Sequence, residues 1–348
     1  MDDPVRDDPV LVVPNDWAPA PGARLRAGVF LSSRLAAGAQ GSIWRLRDDA
    51  GTALPAVLKL AHGPAAVVAP IEREWVIGRR LNAVPGFVPS GAGVRTAGGR
   101  FVGVLLSRIV GRTLASVLAD PDFADAPFLV EALRQVFTAL DAAQAAYGFA
   151  HNDLRLANVM QVEMQVGAAG GPRFVIIDYG LASWSRGPAT GPDLVLRRGV
   201  DDVAAAPPPP LPYVDVSALE GGTRSYHRHT PLERVHAAAW RDKGDVYHLL
   251  LELAAALSGR AWPHADGDDV CRLLDLIQHA TGVRPLATVV AAGVPPPPRP
   301  PAPLRALARG WLRVRAWVLP SCPSLLAGEA LTAPAFTGRR SCRLRWVE

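Results

Sequence analysis

The chain has 348 residues, 37 basic and 32 acidic, for a formal net charge of +5; with 49% hydrophobic and 20% charged residues, it is not a disordered chain and has room for one large domain or two lobes. Cys271, Cys322 and Cys342 form no CxxC pair, which argues against a disulfide framework or a zinc site and for a reducing, cytoplasmic setting. The acidic start MDDPVRDDPV does not read as a signal peptide, and no run of about 18 uncharged apolar residues predicts a transmembrane helix.

Residues 1–27 read as a loose acidic leader. From 28 to 60, VFLSSRL, SIWRLRD and PAVLKLA alternate with Gly/Asp turns, as strands joined by hairpins do. Residues 71–82 have helical spacing at Ile71, Trp75 and Leu81. FVGVLLSRIV (101–110) reads as a buried strand and 127–149 as a long Ala/Leu helix. Residues 159–166 and 173–180 predict a strand pair, and 245–257 a strongly apolar helix. A Pro-rich insertion is expected at about 186–212 and a Pro-rich linker with a basic tail at 293–348. Strands first and helices later predict an α+β chain: a β-rich lobe over 28–110, then a helical lobe over 111–292.

The charge is unevenly placed. Residues 294–348 hold nine arginines against Glu329 and Glu348, so the rest of the chain is near neutral and gives no support for nucleic-acid binding. Lysine occurs only at Lys59 and Lys243, so each retained lysine asks for a chemical reason.

The segment HNDLRLANVM places His151, Asp153 and Asn158 in the pattern HxDxxxxN after a long helix, and IIDYG follows at 176–180. These two segments resemble the catalytic and metal-binding loops of the eukaryotic-type protein kinase family. The resemblance implies a bilobal protein-kinase-like fold with a β-rich N-lobe and a helical C-lobe. It implies ATP and Mg2+ as cofactors and a protein substrate. Asp153 would be the catalytic base, with Arg155 two residues after it, and Asn158 and Asp178 would be the metal ligands. Each polar residue could otherwise simply cap a turn.

Upstream, RLAAGAQGSIW is similar to the family's glycine-rich loop: Gly38 and Gly41 match two glycines, Ile43 the residue that covers the base, and Ala36 stands where a first glycine is expected. AVLK (56–59) resembles the motif whose lysine meets the α- and β-phosphates. Arginine's planar fork replaces a point-like ammonium poorly there, which gives Lys59 a reason to persist. Its implied partner is Glu74 or Glu72. Glu74 is preferred, although it places Gly78 where a side chain normally stacks on the DFG-type aromatic. Leu106 would be the gatekeeper, and Ser107 to Ile109 would offer backbone groups to adenine. Asp245 would tie down the catalytic loop. GTRSYHRHTPLE (222–233) resembles the end of an activation segment, with Glu233 pairing an arginine such as Arg284.

Tyr179 in the DFG position and GFVP at 86–89 are similar to casein-kinase-like and vaccinia-related kinases. With the lysine scarcity of a GC-rich genome, this suggests a bacterial or large-DNA-virus source, the latter favoured. Asn152 replaces the arginine of HRD, which implies that activity does not depend on a phosphorylated activation segment. Serine/threonine transfer is the expected activity, with a pseudokinase scaffold and a small-molecule phosphotransferase as alternatives. The tail segment 303–319 is amphipathic and basic, fitting either an acidic partner or membrane surface or a helix docked on the large lobe. His227, His229 and His236 fit no metal-site template.

Overall fold

The computed structural model describes residues 10–37, 41–61, 65–163, 171–184, 237–281, 287–290 and Leu331. The chain divides into two compact units, with the break between Val110 and Gly111; residues 177–182 return to the first unit. The fold class is α+β: the first unit is rich in strands and the second in helices, as the sequence predicts.

The first unit is built on a seven-stranded sheet. Its strands are β1 (Val10–Val13), β2 (Arg24–Arg26), β3 (Val29–Ala37), β4 (Gly41–Arg47), β5 (Ala53–Ala61), β6 (Ser90–Thr96) and β7 (Phe101–Ser107). Their spatial order is β1-β6-β7-β5-β4-β3-β2, antiparallel except for β1 on β6. Alternation writes β4: Ser42, Trp44 and Leu46 are buried while Arg45 is exposed. Leu31, Leu46, Leu58, Leu60 and Val94 form the heart of the core on one face. Helix α1 (Ala65–Leu81) packs Ile71, Trp75, Ile77 and Leu81 inward. It begins six residues before the predicted start at 71.

Residues 1–27 were expected to be a loose leader, and this is corrected for β1 and β2. Val10–Val13 pairs with Gly93–Thr96, Val13 O accepts the Ala97 N–H at 2.8 Å, and Asn15 Oδ1 accepts the Gly98 N–H at 2.6 Å. A parallel partner some eighty residues away leaves no local trace in a four-residue apolar run. Strand β6 was likewise not predicted. It carries four small residues in seven, and Gly93 is there because the Trp75 indole lies on it: a β-carbon would sit 2.8–3.0 Å from the ring.

In the second unit, β8 (Gly111–Thr113), β10 (Val159–Val162) and β11 (Arg173–Ile176) form a three-stranded antiparallel sheet. Short β9 (Phe149–Ala150) pairs with β12 (Ser183–Trp184), and β13 (Arg260–Pro263) with β14 (Ala287–Val290). The helices are α2 (Leu114–Ala119), α3 (Ala126–Tyr147), α4 (Ala237–Leu257) and α5 (Gly267–Thr281). Helix α3 is punctuated by its sequence. Asp125 caps the N-terminus by accepting the Phe128 N–H at 2.8 Å, Pro127 sits in the first turn, and Gly148 ends the helix at φ +61°. No helix among the described residues is long and apolar enough to cross a membrane. The Pro-rich insertion at 186–212, the segment 222–233 with its three nearby histidines, Arg284 and the basic tail lie outside the described residues.

Candidate active site

In the first unit, β5 carries Lys59 and α1 carries Glu74. The Lys59 Nζ lies 2.5 Å from Glu74 Oε2 and 2.7 Å from Asp178 Oδ1. Glu72, the other candidate, pairs with Arg95 instead. The two glutamates stand two residues apart on α1 and face different ways: Glu74 is turned inward to 0% exposure while Glu72 stays half-buried. Burial opposes the charge on Lys59, but Glu74 and Asp178 outweigh it and hold its pKa above the usual lysine value. Burial pushes the Glu74 pKa up, with Lys59 opposing. The ammonium therefore stays charged between two carboxylates.

Asp178 sits in the left-handed region at φ +66°, uncommon for a non-glycine residue. That twist directs its carboxylate to Lys59 and sends Tyr179 into the core. Tyr179 is fully buried, donates its hydroxyl to Val88 O at 3.2 Å and meets Phe87 edge-on at 5.8 Å. Arg73, one residue before Glu74, donates to the Gly180 carbonyl at 3.2 Å. Sequence reasoning missed Arg73, because a charge on a helix otherwise reads as solvated.

Gly78 lies beside this aromatic. A β-carbon there would stand 2.7 Å from Ser90 Cβ and 3.4 Å from the Tyr179 ring, so Ser90 and Tyr179 already fill the space a side chain would take. Ser90 cannot retreat, since the Asn82 side chain holds its N–H and its carbonyl at 2.8 Å each. Gly78→Ala should cost about 1–3 kcal/mol through overpacking. In a Ser90→Gly background the same change should be neutral or better, because alanine gains about 1 kcal/mol of helix propensity over glycine. Urea unfolding of the four chains checks this.

Ala36, Ile43 and Lys59 are register partners across β3, β4 and β5, which places them in one cross-strand row. Ala36 is exposed and Ile43 half-buried. Gly38 lies outside the described residues. Gly41 has a packing reason of its own: a β-carbon would fall 1.9 Å from the Leu60 carbonyl oxygen. At the end of β7, the Ser107 N–H donates to Pro89 O at 2.9 Å and the Arg108 N–H to Pro55 O at 3.0 Å. Ser107 to Ile109 were expected to offer backbone C=O and N–H groups to adenine; for the N–H groups of Ser107 and Arg108 this is corrected, since both are taken up within the chain.

In the second unit, residues 151–158 form one loop ending in a single 3-10 turn, Leu156–Asn158. Asn158 Nδ2 donates to the Asp153 carbonyl at 2.8 Å and to Asp153 Oδ2 at 3.1 Å, and Arg155 Nε lies 3.4 Å from Asp153 Oδ2. The loop thus brings Asp153, Arg155 and Asn158 together. Asp245, on α4, accepts the His151 N–H at 2.6 Å and the Asn152 N–H at 2.8 Å. Asn152 is in the left-handed region at φ +62°, and its side chain donates to Ser183 Oγ at 3.1 Å.

No protein-family model matches the chain. No curated protein matches it. Among solved structures it is similar to the kinase domain of PknI from Mycobacterium tuberculosis. Against a double mutant of that domain the identity is 19% and the TM-score 0.43, covering 75% of this chain and 89% of that one. Against a single mutant the values are 18% and 0.39, covering 69% and 76%.

His248 lies three residues after Asp245 on α4. Burial pushes its pKa down to about 3, and the neighbouring His151 adds to this. It is neutral in the folded chain, whereas the unfolded chain titrates near the ordinary value of about 6.5. Below that pH the unfolded state binds the extra proton, so stability should fall by up to about 1.4 kcal/mol per pH unit towards pH 3. Urea midpoints at pH 7 and pH 5.5 measure the slope, and His248→Phe should flatten it. Among the described residues, no group of three or more His, Cys, Asp or Glu side chains is arranged to hold a metal ion on its own.

Proposed function

We propose that the chain is an ATP-dependent protein kinase that transfers the γ-phosphate to serine or threonine of a protein substrate in the cytoplasm. The observation that carries this reading is Lys59 held between Glu74 and Asp178. A buried lysine kept charged by two carboxylates is a prepared contact for phosphate oxygens, and Glu74 fixes where it points.

Asp153 is the group that orients the substrate hydroxyl and takes its proton, and Arg155 beside it tempers its charge. The donor set suits Mg2+, which prefers hard oxygens. Asp178, whose side chain is 37% exposed, and Asn158, whose amide nitrogen is turned to Asp153, would supply the carboxylate and amide oxygens. Bound there, the metal would neutralise charge on the phosphates. Ala36 and Ile43 would flank the nucleotide in the row that contains Lys59, and Gly38 and Gly41 would serve as the glycines of the phosphate-covering segment. The carbonyl of Ser107 and the backbone of Ile109 would meet adenine.

The test is transfer of labelled phosphate from Mg-ATP to generic protein substrates by the wild type and Asp153→Ala. Loss of a general base typically costs about 100- to 10,000-fold in rate. Equal transfer by both chains would remove the enzyme reading and leave a binding scaffold.

A further inference from the structure

Helix α4 reads DVYHLLLELAAAL from Asp245 onward, and one carboxylate interrupts its apolar run: Glu252. A charge in such a run is costly unless it holds something. Glu252 lies seven residues, two helical turns, after Asp245, and so shares its face. Its Oε2 accepts the backbone N–H of Leu156 at 2.7 Å.

Leu156 opens the 3-10 turn, where backbone N–H groups have no partner inside the turn. The residue before it, Arg155, is extended (φ −136°, ψ 167°) and gives no side-chain cap. The Leu156 side chain is buried at 6% exposure, so its N–H needs an acceptor from the protein. The two carboxylates of α4 thus grip the loop at both ends: Asp245 at His151 and Asn152, Glu252 at Leu156. The Asn158 N–H closes the turn onto Arg155 O at 2.8 Å, so fixing Leu156 also fixes where Asn158 stands relative to Asp153.

We propose that Glu252 is a positioning residue, the second anchor of the loop that carries Asp153 and Asn158. The grip itself is independent of the kinase reading; its consequence for rate rests on that reading. The charged acceptor makes the hydrogen bond stronger than a neutral one would.

The geometry supplies its own rescue. An extended residue followed by the first position of a helical turn suits proline, which has no N–H to satisfy. Leu156→Pro therefore removes the donor that Glu252 serves. The experiment compares the full chain, Glu252→Leu, Glu252→Gln and the double variant Glu252→Leu/Leu156→Pro. It reads kcat and KM for ATP, and amide hydrogen exchange over 151–160. Glu252→Leu should lower kcat about 10- to 100-fold with KM little changed, since misplacement by an ångström costs that order, and exchange should quicken around 157–158. Glu252→Gln, whose amide oxygen still accepts, should lose less. The double variant should recover most of the kcat and the protection at Asn158. If Glu252→Leu keeps wild-type rate and exchange, or if proline rescues neither, the proposal is overturned. If the wild type transfers no phosphate yet exchange follows this pattern, the grip stands and the kinase reading falls.

Discussion

Lys59→Met should abolish phosphoryl transfer and destabilise the fold by about 3–5 kcal/mol, the range for removing one partner of a buried ion pair. Methionine keeps the length of the side chain and removes the charge. Glu74 is then a carboxylate at 0% exposure with no cation against it. Burial already pushes its pKa up, and losing Lys59 pushes it further, so it takes up a proton instead. A carboxylate whose folded pKa is raised loses stability as pH rises through that value. The deficit of Lys59→Met should therefore be larger at pH 8 than at pH 5. Adding Glu74→Leu removes the orphaned carboxylate and should return most of the stability but none of the activity. Chemical unfolding at the two pH values, beside the phosphotransfer assay, separates the two effects. A Lys59→Met chain as stable as wild type at pH 8 would show that Glu74 does not depend on Lys59.

Asp245→Ala should have the next largest effect. Its carboxylate is buried and accepts two backbone N–H groups, from His151 and Asn152. Alanine leaves both donors unsatisfied, at about 1–3 kcal/mol each. It also frees Asn152 from the bond that helps hold φ at +62°, a conformation that persists only when its surroundings impose it. The expected loss is about 2–6 kcal/mol by urea unfolding, with kcat falling further than stability alone explains because Asp153 follows Asn152 directly. Asp245→Asn retains one acceptor oxygen and should fall between. Burial raises the Asp245 pKa while the two N–H groups oppose the rise. Its anionic form therefore stabilises less than its hydrogen bonds suggest, and Asp245→Asn should compare best with wild type at high pH.

Much of the first unit was legible because its strands alternate locally. SIWRLRD and PAVLKLA predicted β4 and β5 to within two residues, and in the second unit the Ala/Leu run over 127–149 predicted α3 to within two residues. Helix α1 was placed but started late. Strands β1 and β6 were missed: one is a short apolar run in acidic surroundings, the other a row of small residues, and only their pairing makes them strands. At the candidate site, the identities of Lys59, Asp153, Asn158 and Asp178 could be read from motif spacing. Arg73 and Glu252 could not, because each acts on a backbone atom more than ninety residues away and a backbone atom has no letter in the sequence. For Glu252 a signal did exist: a lone carboxylate in an apolar run, in phase with Asp245.

Length, composition and charge began as bulk properties and ended as local ones. The sequence alone determined that the positive charge belongs to the last 55 residues, and that one of two lysines stands in a strand where phosphate chemistry would use it. These are facts of order and spacing, which a chain carries before it folds. The tertiary structure decided which glutamate reaches that lysine, why Gly78 has no side chain, and what holds the loop from His151 to Asn158. Those depend on which groups are removed from water together. Burial makes an unpaired charge or N–H costly, so partners must be found across the fold, and no local pattern records which ones were available.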